Sequence, residues 1–246
     1  MVASSGTRLD EIAAGVYRIS TPVPPSAVPG GFSFNQYLVL DDEPLLFHTG
    51  PRRLFGAVRE VVAAVLPVER LRWIGLSHLE NDECGSLNEW LAAAPQAEPV
   101  CGRIAARISL AEMADRTPRA LADGEALRTG ARELTWLDAP HLPHGWECGY
   151  LFERATGTLL CGDLFTQPGT GEGPPVTPGD ILGPSEAMRA RMNYFSGTPH
   201  ARQLLERLAA LRPSLLACMH GWAWRGDGAA LLRALGEALA RPAGAT

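Results

Sequence analysis

His78-Leu79-Glu80-Asn81-Asp82 decides how this chain is read. Three potential metal ligands occupy alternate positions directly after the apolar run Leu71–Leu76. That run reads as a strand, so its end delivers the three side chains together into a loop, able to converge on one site. One imidazole and two carboxylates form a mixed nitrogen and oxygen set suited to iron, manganese or zinc. No thiolate is present to favour softer chemistry.

Three further strand-like runs end in the same residue types. His144 lies in Pro140–Trp146, after Glu133–Leu137; Asp163 ends Leu159–Asp163; His220 follows Leu215–Met219. Ligands collect at strand ends in layered α/β proteins because loops there leave a rigid sheet. Four strands ending in histidine or aspartate therefore point to one metal site built by the whole chain.

This order of residues resembles the metallo-β-lactamase superfold, whose commonest first motif is H-x-H-x-D-H. The similarity runs from about Glu11–Ile19 to the last helix. His78, Glu80, Asp82 and Glu83 stand in the motif places, so two of the usual histidines are glutamates. Glu80 resembles the H-x-E-x-D motif of the diiron domain of flavodiiron proteins. The stretch His78–Gly85, H-L-E-N-D-E-C-G, is similar to the stand-alone oxygen-binding diiron proteins. The resemblance implies an α/β fold, a four-layer αββα sandwich of two mixed β-sheets. It implies two iron ions: His78, Glu80 and His144 on one, Asp82 and His220 on the other, with Asp163 bridging. It also selects His144, 19 residues before Asp163, over His141. Glu83 stands where flavodiiron proteins often carry a histidine, which leaves the second iron's ligand count open.

The glutamate substitution has a chemical direction. Extra anionic oxygen stabilises Fe(III) relative to Fe(II), whereas zinc has no redox state to gain from it. Open positions on the metals would take a diatomic ligand, and Tyr194 is the candidate hydrogen-bond donor to it. Two oxygen-linked readings follow: a dioxygen sensor or carrier, or a reductase of dioxygen or nitric oxide. The reductase needs electrons from a separate partner, because no flavodoxin-length segment follows Ala240 and no flavin is expected in this chain. The alternative is a dinuclear zinc or iron hydrolase of a small thioester, lactone or phosphodiester, and zinc or manganese are the alternative metals to the iron pair. A signalling module that changes its affinity for a protein partner is a third reading.

Composition bounds these readings. The 246 residues fit a single domain, 1–246, and 46% hydrophobic content is ordinary for a globular protein. A net charge of −5 with mixed signs argues against nucleic acid or an anionic membrane as partner. Met1–Arg8 lacks the apolar core of a leader and no run is long enough to span a bilayer, so a cytoplasmic protein is expected, and with it a homodimer. Five cysteines without a C-x-x-C pair read as small buried hydrophobes.

Local patterns complete the expectation. Phe34–Leu40 and Pro44–His48 read as a hairpin, followed by a helix from about Arg53 to Val65. Leu87, Trp90 and Leu91 share a helix face, Ile104–Met113 reads as another helix, and two late helices flank the His220 strand. Gln167–Pro184, rich in glycine and proline, is either a lid over the metals or a solvated loop. His48 is either a polar strand terminus or a hydrogen-bonding partner of the metal loop.

Overall fold

The computed structural model describes residues 6–240. The outermost residues of the expected 1–246 domain, Met1–Ser5 and 241–246, lie outside them. Two seven-stranded mixed sheets form the body. The first runs in chain order: β1 (Arg8–Ala13), β2 (Val16–Val23), β3 (Phe32–Val39), β4 (Leu45–Phe47), β5 (Trp73–Gly75), β6 (Glu98–Gly102) and β7 (Arg119–Leu121). Its early strands are antiparallel, and β4 to β7 are parallel.

The second sheet contains β8 (Ala126–Arg128), β9 (Glu133–Asp138), β10 (Gly149–Glu153), β11 (Thr158–Leu160), β12 (Val176–Thr177), β13 (Leu215–Ala217) and β14 (Ala223–Arg225). Their spatial order is β12-β14-β13-β11-β10-β9-β8, with β11 and β13 parallel neighbours.

Side-chain alternation along the strands separates three apolar layers. Tyr37, Val39, Leu45, Phe47 and Trp73 face Leu134, Trp136, Leu151, Leu160 and Leu215 between the sheets. Leu38, Leu46 and Ile74 point the other way, beneath helices α1 (Phe55–Ala63) and α3 (Leu87–Ala93). Tyr150, Phe152, Leu159 and Leu216 face α7 (Ala201–Ala210) and α8 (Gly228–Leu239). Both sheets are thus covered on both faces, which is the expected four-layer αββα sandwich. Gly102 and Gly149 leave room for the Trp136 indole between the sheets; a Cβ on Gly102 would come within 2.9 Å of it.

Local expectations hold with adjustments. The helix expected from Arg53 begins as a 3-10 turn, Arg52–Leu54, after Pro51, and ends before Pro67. The Ile104–Met113 helix is interrupted: α4 (Arg103–Ala105) and α5 (Ala111–Met113) flank a π-helical stretch, Ala106–Leu110. That widening turns Ala105, Ala106 and Leu110 into the layer while Ile104 and Ile108 stay exposed. Gln167–Pro184 is neither alternative entire. It supplies edge strand β12 and begins α6 (Leu182–Met192), and none of its residues lines the metal cavity. Among the described residues no helix is long and apolar enough to cross a membrane.

Candidate metal centre

The six ligand-type residues come together at one end of the two sheets. His78 lies three residues beyond β5, Asp163 three beyond β11, and His220 three beyond β13; His144 sits in the loop joining β9 to β10. The His78 motif does not continue the strand. Glu80 is extended and caps a short helix, α2 (Asn81–Cys84), so Asp82 and Glu83 sit in a helical turn. Convergence here comes from that turn, not from strand alternation. The turn is tied to the end of β4, where Thr49 N–H donates to the Glu83 carbonyl at 2.8 Å and Gly50 N–H to that of Asp82 at 3.1 Å.

Each imidazole has its outer nitrogen engaged, which turns the inner one toward the centre. His144 Nδ1 donates to the Tyr194 carbonyl at 2.8 Å, and His220 Nδ1 to the Ser33 carbonyl at 2.8 Å. His78 Nδ1 lies 2.8 Å from Ser77 Oγ, which is 2.9 Å from His48 Nε2. Ser77 N–H also points at that His48 nitrogen, 3.4 Å away, so Nε2 accepts and Nδ1 carries the hydrogen, 3.1 Å from Met219 Sδ. Ser77 therefore donates to His48 and accepts from His78, leaving the His78 Nε2 lone pair free. Burial first, then His78, lowers the His48 pKa to about 3, which keeps that ring neutral. His48 itself has left-handed backbone, φ 65°, a conformation that costs about 1 kcal/mol and signals a constrained position. The reading of His48 as a hydrogen-bonding partner of the metal loop is the one realised.

Two groups of inner atoms share Asp163. His144 Nε2 is 2.9 Å from His78 Nε2, 3.1 Å from Glu80 Oε1 and 3.6 Å from Asp163 Oδ2. His220 Nε2 is 3.3 Å from Asp82 Oδ2 and 3.3 Å from Asp163 Oδ1. One oxygen of Asp163 faces each group. Ligand atoms of His78, Glu80, His144 and Asp163 lie within 4.8 Å of one another, as do those of Glu80, Asp82 and Glu83.

The electrostatics call for cations. Burial acts to raise the Asp163 pKa, but His220, His78 and His144 outweigh it and hold the carboxyl below its usual range. Burial lowers the His220 pKa, but Asp163 and Asp82 overcome this and lift it to about 10. Glu83 is fully buried; ionised it has no donor to either oxygen, and protonated it hydrogen-bonds to the Asp82 carboxylate. Burial, then Asp163 and Asp82, pushes the Glu83 pKa well above the carboxylate range. A buried, uncompensated carboxylate costs several kcal/mol. Metal ions between these groups would satisfy every one of them, so the residues fit the implied metal pair.

A cavity of about 490 Å³ opens onto the centre, lined among others by Phe32, Glu147, Thr166, Met188, Met192 and Tyr194. Tyr194, the expected donor, stands in its wall. Its hydroxyl is buried beside those of Ser185 and Thr166, and burial raises its pKa, so the O–H persists. His141 has φ 62° and is exposed, and His200 precedes α7 at the surface. Trp146 is exposed, and neither it nor Trp222 nor Trp224 lines the cavity.

Several supporting residues were not singled out from sequence. Glu147 accepts the Leu79 backbone N–H at 3.1 Å, joining the His144 loop to the His78 loop. Asn35 donates to the carbonyls of Cys218 and Gly221, each at 2.9 Å, and Arg18 donates to that of Gly221 at 2.7 Å. These clamps fix the turn bearing His220. Ser33, Asn35 and Gln36 interrupt an otherwise apolar strand, a signal that β3 serves something polar.

Comparison with known proteins finds chains of the same fold. The rubredoxin-oxygen oxidoreductase of Megalodesulfovibrio gigas is 23% identical over 209 residues, covering 80% of this chain and 50% of that protein. The flavodiiron protein from Giardia intestinalis superposes with a TM-score of 0.81 at 20% identity, over 94% of this chain and 59% of that one. The metal-soaked Flv1 flavodiiron core from Synechocystis sp. PCC6803 gives a TM-score of 0.81 at 20% identity, covering 95% and 61%. The chain thus spans about half the length of the oxidoreductase and about three fifths of those flavodiiron chains. It belongs to the family described as ODP family beta lactamase, whose model matches residues 32–221.

Proposed function

We propose that this chain is a non-haem diiron protein that binds dioxygen, as a sensor or carrier or as a reductase of dioxygen or nitric oxide. The observation that carries the reading is Asp163, whose two oxygens face two separate histidine-and-carboxylate groups. His78, Glu80 and His144 would hold one iron, Asp82 and His220 the other, with Asp163 shared between them. Ferrous ions held there would supply the electrons and open positions for diatomic chemistry.

The chain's own residues set the terms. Ser77, Ser33 and the Tyr194 carbonyl orient the imidazoles, so ligand geometry exists before metal arrives. Phe32 stacks on His220, with ring centroids 4.2 Å apart, and with Met188 and Met192 it lines the approach with apolar surface that limits water. The Tyr194 hydroxyl, in the cavity wall, would donate to the diatomic. The relative named a rubredoxin-oxygen oxidoreductase supports dioxygen as substrate and a small redox protein as electron source. Five free cysteines support a reducing, cytoplasmic setting.

The test is metal content after anaerobic preparation with iron available, followed by absorption on oxygenation. Two irons per chain and a new visible band on adding oxygen are expected. One zinc without iron, an unchanged spectrum and rapid hydrolysis of a generic thioester would replace this reading with the hydrolase.

A further inference from the structure

Two of the five free cysteines meet beneath the candidate metal centre. Cys161 and Cys218 directly follow β11 and β13, parallel neighbours in which Leu160 pairs with Ala217. The pairing continues one residue further, where Cys161 N–H donates to the Ala217 carbonyl at 3.2 Å. Both side chains leave the sheet on the same face, and the Cys161 S–H donates to Cys218 Sγ across 3.8 Å. Both are fully buried, in the layer under α7 and α8. Each stands two residues before a ligand-type residue, Cys161 before Asp163 and Cys218 before His220. By contrast, the thiols of Cys84 and Cys148 donate to backbone carbonyls, of Glu80 and Leu142.

We propose that Cys161 and Cys218 are a modification site, a dithiol that hydrogen peroxide oxidises to a disulfide. Neighbouring strands lie about 4.8 Å apart, inside the range of about 4.4–6.8 Å that a disulfide needs between its Cα atoms. The bond therefore forms by rotation of two side chains already in contact. In the first step the Cys218 sulfur takes one peroxide oxygen. The O–O bond breaks, and the thiol proton leaves with the other oxygen as water. In the second step the Cys161 sulfur displaces hydroxide from that sulfenic acid, and its own proton completes a second water. Two electrons pass from the two sulfurs to one peroxide. Burial, then the Cys218 thiol, pushes the Cys161 pKa up, so the pair reacts more slowly than a surface thiolate and bulky thiol reagents are kept out. Contact between the sulfurs makes the disulfide the product instead of a lone oxidised cysteine. The link joins the two strands that present Asp163 and His220, and it forms whether or not metal is bound.

The test treats reduced, metal-free protein with excess hydrogen peroxide, removes the peroxide with catalase, and alkylates the free thiols in denaturant for counting by mass. Wild type is expected to fall from five thiols to three, with Cys161 and Cys218 joined in the peptide map, and to regain all five with a dithiol reductant. The oxidised form should melt higher than the reduced one, because the bond closes a loop between residues 57 positions apart. Cys161→Ser should form no linked pair and show no rise in melting temperature on peroxide treatment, whereas Cys84→Ala should behave as wild type. Five thiols still free in the wild type, loss of a single thiol, or a link to any other cysteine would overturn the proposal. If Cys161→Ser does not fold, Cys218→Ala replaces it, and the wild-type peptide map decides even if neither variant folds.

Discussion

Replacing Ser77 with alanine tests whether the centre is organised before metal binds. The Ser77 hydroxyl joins His48 Nε2 at 2.9 Å to His78 Nδ1 at 2.8 Å, and all three residues are about 1% exposed. Without it His48 still faces the Ser77 backbone N–H at 3.4 Å, but the His78 Nδ1 hydrogen is left buried without an acceptor. One lost hydrogen bond costs about 1 kcal/mol and the orphaned donor about 1–2 kcal/mol more, so metal-free stability should fall by roughly 2–3 kcal/mol. For a chain of this size that is a drop of roughly 4–12 °C in melting temperature. The His78 ring also loses its orientation, and affinity at the His78, Glu80 and His144 position should fall about 10–100-fold. Asp82 and His220 hang on α2 and the β13 loop, so affinity at their position should change far less. Calorimetry of the metal-free protein and metal competition against a chelator measure both effects. Unchanged melting and unchanged affinity in Ser77→Ala would refute the relay. Equal loss at both positions would show general loosening instead.

Further substitutions separate the remaining roles. Tyr194→Phe removes a buried hydroxyl that sits beside those of Ser185 and Thr166, so stability should fall by no more than about 1 kcal/mol. Metal content should be unchanged while dioxygen affinity falls roughly fivefold; oxygen titration of the reduced protein checks this. Glu80→His exchanges an anionic oxygen for a neutral nitrogen and should shift loading from iron to zinc, read by elemental analysis. Full iron loading with unchanged oxygen reactivity would remove Glu80 from the ligand set, whereas Asp163→Asn should weaken both metals together. Away from the centre, Asp41 accepts from Arg132 N–H at 2.7 Å and the Thr129 hydroxyl at 2.9 Å. Burial acts to raise its pKa, but the Arg132 amide and these other donors prevail and lower it. Its contribution is therefore present above the unfolded carboxyl pKa, about 3.9, and is lost as pH falls through the lower folded value. Asp41→Asn should destabilise by less than about 1 kcal/mol at pH 7, with the gap closing in acid; a constant gap in urea titrations across pH would contradict this.

Much of this was legible in the sequence because it depends on local pattern. Apolar runs ending in His78, Asp163 and His220 announce strands with ligands at their ends. The apolar faces of 55–62 and 87–91 announce the covering helices. What was not legible depends on long-range closure. Asn35 meets Gly221 across 186 positions and Arg18 across 203, contacts that no local period encodes. The lid question failed for the same reason. Glycine and proline in Gln167–Pro184 showed irregular backbone but not its destination, which is a sheet edge beside Trp222 and Gly31. The covering role fell to the polar-looking end of α6, whose Met188 and Met192 were not marked by any strong amphipathic pattern.

The cavity's charge bears on what can enter it. Glu80, Asp82 and Asp163 line it with three carboxyl groups. Glu147 adds a further carboxylate at the wall, and neither arginine nor lysine lines the space. Sites that hold phosphodiesters or carboxylates ordinarily present guanidinium or ammonium groups to them. Here such a substrate would meet acids, and the cost of removing its own water would go uncompensated. A volume of about 490 Å³ would admit a small hydrolysable molecule, so size does not decide the matter. Charge does. A neutral diatomic meets no repulsion and loses little hydration, and it gains by moving from water to the apolar surface of Phe32, Met188 and Met192. The same acids that make the centre a place for hard metal ions thus make it a poor place for anionic substrates.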